Sequence, residues 1–219
     1  MTAQRREIDP FVIVREGALI LEIPIDDEAV AKTVRHLEIL NQWRDRVNLT
    51  SLKDMAEMAV LHVLDSLTVF KVVPRGAGLR VLDVGSGAGF PGVVMAVADN
   101  SMKVTLMDGD PAKIVFLKHL SQHLELKQVA FLNKRLEKLL ALDEPSTFDL
   151  VVTRAFSSKP SVIQSLSAFV SRGGSLVRMI GPSSVEDGLI FNDLQQCADW
   201  EGTLPFSSHF RRVVRYRRA

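Results

Sequence analysis

The chain has 219 residues, 47% of them hydrophobic and 24% charged, with a formal net charge of +1. This length fits one large domain, or a domain with a helical extension, and the composition excludes a disordered or fibrous protein. The longest apolar runs, such as Val93 to Ala98, fall far short of the roughly 20 residues needed to span a bilayer as a helix.

Cys197 is the only cysteine, which excludes an intramolecular disulfide and a thiolate metal cluster. The opening MTAQRREIDP has no apolar segment behind its basic pair, so a secretory signal is not expected and a cytoplasmic location is. The charge is unevenly placed. Five arginines (Arg211, Arg212, Arg215, Arg217, Arg218) and His209 crowd into residues 207–219 without an acid. Removing those five from the 27 lysines and arginines leaves 22 against 26 acids. A phosphate-binding patch and an edge strand protected by charge both fit this end.

Residues 1–24 carry apolar pieces broken by Gly17 and Pro24, compatible with a short helix or a strand pair. Asp26 and Asp27 have N-cap chemistry. They open a run with apolar residues at Val30, Val34, Leu37, Leu40, Trp43 and Val47, which predicts a helix. A second helical stretch is expected from Asp54 to Val72, closed by Pro74, Gly76 and Gly78. This divides a helical extension or cap, residues 1–74, from a second part, residues 75–219, the two forming one integrated unit.

Strands then alternate with helices. Strands are expected at Leu79–Val84, Lys103–Asp108, Val129–Leu132, Phe148–Thr153, Ser175–Ile180 and Arg212–Tyr216. Helices are expected at Gly92–Ala98, Ala112–Leu124, Leu136–Leu142 and Ser161–Val170. Such alternation requires crossover connections, hence an α/β fold with a mostly parallel sheet covered on both faces. Ligands in such sheets bind beyond the carboxyl ends of the strands.

The strongest local signal is Asp83-Val84-Gly85-Ser86-Gly87-Ala88-Gly89-Phe90-Pro91-Gly92, between the first strand and a helix. Glycines at Gly85, Gly87 and Gly89 allow a positive φ and a close ligand approach. A dinucleotide turn prefers G-x-G-x-x-G, but here the third glycine comes one place early and Phe90 takes its position. The Asp83 carboxylate would repel a pyrophosphate and suits a cationic ligand, which favours S-adenosylmethionine. Asp108, at the end of the second strand, is placed to accept the ribose hydroxyls.

These residues resemble a known family. GSGAGFPG, with Asn48-Leu49-Thr50 and His62-x-x-Asp65-Ser66 upstream, is similar to the bacterial 16S rRNA guanine-N7 methyltransferases, once called glucose-inhibited division protein B. Phe116-Leu117, Arg135-Leu136-Glu137 and Arg154-Ala155-Phe156 extend the likeness over nearly the whole chain. The resemblance implies a Rossmann-like, class I S-adenosylmethionine-dependent methyltransferase with a seven-stranded, mostly parallel sheet and an N-terminal helical cap. It implies methyl transfer to a guanine of 16S rRNA in the small ribosomal subunit, with S-adenosylhomocysteine as product. Gly85 and Phe90 would line the donor site, Leu136 and Glu137 would border the adenine, and Arg154 would stand where donor and RNA meet. Asn48, His62, Asp65 and Arg154 become candidates for positioning the substrate.

The chain departs from the family pattern where Leu61 replaces an arginine, Ala112 one of two basic residues, and Ile180 a lysine. Each change removes positive charge from the expected RNA face. This keeps open a methyltransferase for another acceptor, and an RNA- or ribosome-binding protein without turnover. His62 and Asp65, i and i+3 on a helix, share a face. No further ligand lies at metal spacing, so no metal is expected.

Overall fold

The computed structural model describes residues 9–140, 147–155, 159–181 and 193–219. The expected end of a helix at Leu142, Phe156 and the basic pair Arg5-Arg6 lie outside these.

Of the two readings of the amino-terminal part, the described residues 9–24 show a helix, α1 (Pro10–Ile20). Asp9 caps it by accepting from the Phe11 N–H at 2.9 Å, and Pro10 occupies the first turn, where no amide donor is needed. Helix α2 (Asp27–Val47) starts at Asp26, whose carboxylate accepts from the Ala29 N–H at 2.7 Å. A cap of this kind contributes about 1 kcal/mol. The helix ends at Asn48, which takes the left-handed conformation (φ 52°, ψ 52°) tolerated best by glycine and asparagine.

The second helical stretch is continuous but uneven. Helix α3 (Met55–Met58) widens into a π turn (Ala59–Leu64), narrows to α4 (Asp65–Leu67) and ends in a 3₁₀ turn (Thr68–Lys71). π turns inside helices recur at functional sites, and this one carries His62.

Seven strands form one sheet in the order β3-β2-β1-β4-β5-β7-β6. Strands β1 (Arg80–Val84), β2 (Lys103–Asp108), β3 (Val129–Asn133), β4 (Phe148–Arg154) and β5 (Val170–Ile180) are parallel. Strand β7 (Phe210–Arg218) runs antiparallel between β5 and β6 (Leu194–Thr203). Helices α5 (Gly92–Ala98), α6 (Pro111–His123), α7 (Leu136–Leu140) and α8 (Pro160–Ser165) make the crossovers. The strand order reverses direction between β1 and β4, the crevice in which open α/β sheets bind ligands.

Strand β6 escaped the sequence pattern because it is an edge. Its residues are exposed from Gln195 to Cys197 and then alternate between half-buried and exposed, so no apolar run announces it. It is held instead by β7, where Arg212 pairs with Asp199 at 3.4 Å and Glu201 at 3.0 Å.

One hydrophobic cluster runs from Val14 and Leu37 through Met58 and Leu64 to Val93, Leu106 and Phe116. The helical layer and the sheet thus share a core. A second cluster, including Leu82, Phe169 and Leu176, fills the other face of the sheet.

Candidate functional site: a cleft at the carboxyl ends of the strands

Strand β1 ends in the glycine turn. Gly85, Gly87 and Gly89 all take positive φ (77°, 55° and 94°), a backbone closed to most side chains. Asp83 lies beneath the turn rather than in the cleft wall. It is fully buried, and its Oδ2 accepts from the Gly92 N–H at 3.0 Å, tying the start of α5 to β1. Burial raises its pKa to about 6, with the bond to Gly92 acting in the opposite direction. Gly92 is needed for this approach, since a Cβ would stand 2.5 Å from Asp83 Oδ2. Direct contact of Asp83 with a cationic ligand, expected from the sequence, is therefore not what the structure shows.

Two cavities flank the turn and share Gly85 and Ala155. The smaller, about 330 Å³, is lined by Met107, Asp108, Lys113, Arg135, Leu136 and Glu137 among others. Asp108 accepts from the Gly87 N–H at 3.0 Å through Oδ2 and from the Asp110 N–H at 2.9 Å through Oδ1. A carboxylate offers about four lone-pair sites, so Asp108 braces the turn and still has acceptor capacity facing the cavity. Leu136 is buried and apolar beside the exposed Glu137.

The larger cavity, about 710 Å³, brings the turn residues Gly85, Gly87 and Phe90 together with Thr50, His62, Asp65, Arg154, Arg178 and Arg211. Arg154 is the hub. Its Nη1 donates to the Leu61 carbonyl at 3.0 Å and pairs with Asp65 Oδ2 at 3.2 Å. Its Nη2 lies 3.4 Å from His62 Nδ1, and the guanidinium covers the Phe90 ring at 5.4 Å. Arg211 Nε reaches the other Asp65 oxygen at 3.3 Å, so one buried carboxylate holds two arginines from β4 and β7.

The neighbours of His62 fix its tautomer. Arginine only donates, so Nδ1 accepts, and Nε2 carries the proton to Thr50 Oγ1 at 2.9 Å. Burial, then the nearby Arg154 charge, lower its pKa to about 3. His62 is therefore neutral and engaged at both nitrogens, a geometry that orients rather than takes protons. Its ring stacks on Phe90 at 4.6 Å.

Of the candidates named from sequence, Gly85, Gly87, Phe90, His62, Asp65 and Arg154 meet in the larger cavity. Asp108, Leu136 and Glu137 meet in the smaller. Asn48 is the exposed cap of α2, and Leu49 and Thr50 beside it line the cleft instead. Gly89 faces the core, where a Cβ would meet Val93 at 2.8 Å.

The basic carboxyl end is not a free patch. Arg212 is paired within the sheet, Arg215 bonds Ser175 Oγ at 2.9 Å and the Val72 carbonyl at 3.1 Å, and Arg218 bonds the Val170 carbonyl at 2.6 Å. Alternation along β7 divides the five between two faces. Arg211 turns to the cleft and Arg217 is exposed. Sequence reading had no means of separating them, because which face of β7 meets the cleft depends on its pairing with β5.

A sequence model of the rRNA small subunit methyltransferase G family matches residues 29–199. Ribosomal RNA small subunit methyltransferase G of Acinetobacter baumannii is 33% identical over 177 residues, covering 81% of this chain and 83% of that protein. Its counterpart in Syntrophus aciditrophicus is 30% identical over 218 residues, covering 94% and 88%. In fold, the chain is similar to coclaurine N-methyltransferase bound to N-methylheliamine and S-adenosylhomocysteine. That match has a TM-score of 0.59 and 12% identity and covers 95% of this chain and 94% of that one. The sheet order, the glycine turn and these likenesses agree: the chain belongs to the rRNA small subunit methyltransferase G family.

Proposed function

We propose that this protein transfers a methyl group from S-adenosylmethionine to N7 of a guanine in 16S ribosomal RNA, in the cytoplasm. The observation that supports it best is the adjoining pair of cavities around one glycine turn. One offers a carboxylate and an apolar wall, the other three arginines and two stacked rings.

The residues present suit the donor. Leu136 and Met107 give an apolar border for an adenine, Asp108 retains acceptor sites for ribose hydroxyls, and the turn from Gly85 to Phe90 borders the route to the larger cavity. Glu137 stands at the rim of the adenine end. When bound, S-adenosylmethionine supplies an electrophilic methyl group on a sulfonium.

Guanine N7 already has its lone pair, so no base has to remove a proton before attack. The chain's task is to hold acceptor and donor in line, which is worth roughly 7–11 kcal/mol when reacting atoms are kept at near-attack distance. Arg154, fixed by Asp65 and Leu61 and resting on Phe90, orients the guanine or its phosphate. A contact to guanine O6 leaves N7 free, whereas the bidentate O6/N7 contact usual in DNA would block it. His62 holds Thr50 and Phe90 in place as a neutral ring.

Positive charge supports RNA over an uncharged acceptor. Leu61 and Ile180 line the cleft where the family pattern has cations, but Arg178 and Arg211 line the same cleft. On β5, Arg178 and Ile180 are two residues apart and so share a face. Arg217 is exposed on β7 and available to a phosphate backbone.

The test is methyl incorporation from labelled S-adenosylmethionine into small ribosomal subunits from a strain lacking this gene, with N7-sensitive cleavage to map the product. Label at one guanine of 16S rRNA is expected. Label on another acceptor, or on none, would contradict the proposal.

A further inference from the structure

His36 belongs to α2, far from the glycine turn in sequence, yet its Nε2 lies 2.7 Å from the Ala88 carbonyl across 52 residues. A carbonyl only accepts, so Nε2 carries the proton and Nδ1 is bare. Nδ1 is buried without a hydrogen-bond partner. The N–H of the same peptide unit, on Gly89, donates to the Ser86 carbonyl at 2.7 Å. Both polar ends of the Ala88–Gly89 peptide are therefore fixed, one from inside the turn and one from the helical layer.

The ring fits as closely as the bond. It stacks on Phe90 at 4.4 Å with an interplanar angle of 7°, and a Cβ at Gly89 would stand 3.2 Å from His36 Cε1. A leucine or phenylalanine would fill this space without leaving a bare buried nitrogen, whose desolvation is a cost. Core packing alone thus gives no reason for a histidine here. Its distinctive contributions are the hydrogen bond to Ala88 and the flat ring under Phe90.

We infer that His36 is a positioning residue of the donor site, a latch by which the N-terminal helical layer holds the glycine turn in the shape that receives S-adenosylmethionine. This rests on the reading that the turn holds the donor. The latch acts through Ala88 and Phe90, not through contact with the reacting atoms. Losing it lets the Ala88–Gly89 peptide rotate and weakens donor affinity before it affects methyl transfer.

The experiment titrates S-adenosylhomocysteine calorimetrically into the full chain as wild type, His36→Phe, His36→Gln and Gly87→Arg, each first shown to be folded by a cooperative thermal melt. His36→Phe keeps a stacking ring and loses the hydrogen bond. His36→Gln places an amide N–H where Nε2 was. The expected result is about tenfold weaker binding for His36→Phe, about 1.4 kcal/mol, and recovery to within about threefold of wild type for His36→Gln. Turnover of His36→Phe at saturating donor should stay within about threefold of wild type, a split that a merely structural role would not produce.

Equal affinity of the Phe and wild-type proteins, with binding lost in Gly87→Arg, overturns the latch and leaves the donor site standing. Wild-type binding by Gly87→Arg overturns the donor-site reading itself, and the latch with it. Should His36→Phe not fold, the Gln variant still decides: a folded His36→Gln that binds more than about tenfold more weakly contradicts the latch.

Discussion

At the amino ends of the parallel strands a groove of about 1030 Å³ runs past Asp26, Lys32, Arg75, Asp99 and Lys127. The cleft at their carboxyl ends, about 710 Å³, is smaller. The groove is larger, but Arg75 and Asp99 in it are already engaged in holding the fold. Arg75 donates to the Pro24 and Ala98 carbonyls at 2.6 Å each, and Asp99 accepts from the Gly76 N–H at 2.7 Å and the Ser101 hydroxyl at 2.6 Å. At the carboxyl end the chain accepts costs that folding alone does not require. Ala155, a non-glycine residue lining both cavities, sits at φ 49°, Asp83 is buried with one oxygen unpaired, and His36 and His62 are held neutral. Concentrated strain and shifted acidity, rather than volume, separate a working site from a structural groove.

The largest effect should come from breaking the turn. Gly87→Arg forces a branched-off side chain onto a residue at φ +55° and fills the cavity beside it. Donor affinity is expected to fall by about a hundredfold or more, from strain of about 1–2 kcal/mol plus the lost space. Calorimetry with S-adenosylhomocysteine checks this. A large substitution in the amino-end groove, such as Asn100→Arg, should leave that affinity unchanged.

Arg154→Ala separates the two cavities. Turnover is expected to fall roughly 10- to 100-fold, from the loss of about 1–3 kcal/mol of base recognition and of the partner for Asp65. Donor affinity should stay within about threefold. Steady-state kinetics alongside calorimetry reads the split, and an equal loss in both would place Arg154 with the donor alone.

Acidity sharpens the contrast further. Burial lowers His36 to about 4 and His62 to about 3, so below about pH 6.5 the unfolded chain takes up two protons that the folded chain refuses. Stability from these groups is full above 6.5 and is lost as pH falls from there toward 4 for His36 and 3 for His62. Asp83, raised to about 6, works the other way between about 3.8 and 6, because there the folded chain holds the extra proton. The histidines outweigh it. Urea unfolding at pH 5 should give a stability about 2–3 kcal/mol below that at pH 7. A flat profile would mean that the histidines are not held neutral in the fold.

The smallest expected effect lies outside the cleft. Arg217→Gln removes an exposed charge from β7 and should weaken RNA binding slightly, lowering the slope of log K against log salt by about one. Arg212→Gln, whose charge is already paired with Asp199 and Glu201, should leave that slope alone.

Much of this was legible in the sequence because local rules and tertiary demand agreed. The compact apolar run at β1, the glycines after it and the cap at Asp26 each report their own structure. The meeting of Arg154, His62 and Asp65 was only suggested by resemblance, since residues 89 apart are joined by topology. His36 gave no signal: in α2 it reads as one more residue beside Leu37, and only the packing of that helix against the turn shows its partner. Asp83 misled for a related reason. A carboxylate at a strand end looks like a ligand-facing group, but the tight start of α5 at Gly92 captures it first.

Methyl transfer by positioning, without a proton taken from the acceptor, is the central claim, and a single-turnover rate against pH tests it most directly. With small ribosomal subunits and saturating S-adenosylmethionine, the rate should be level from pH 6.5 to about 9, because His62 is already neutral across that range. A rate that climbs tenfold per pH unit across that range would reveal a required base and contradict the account.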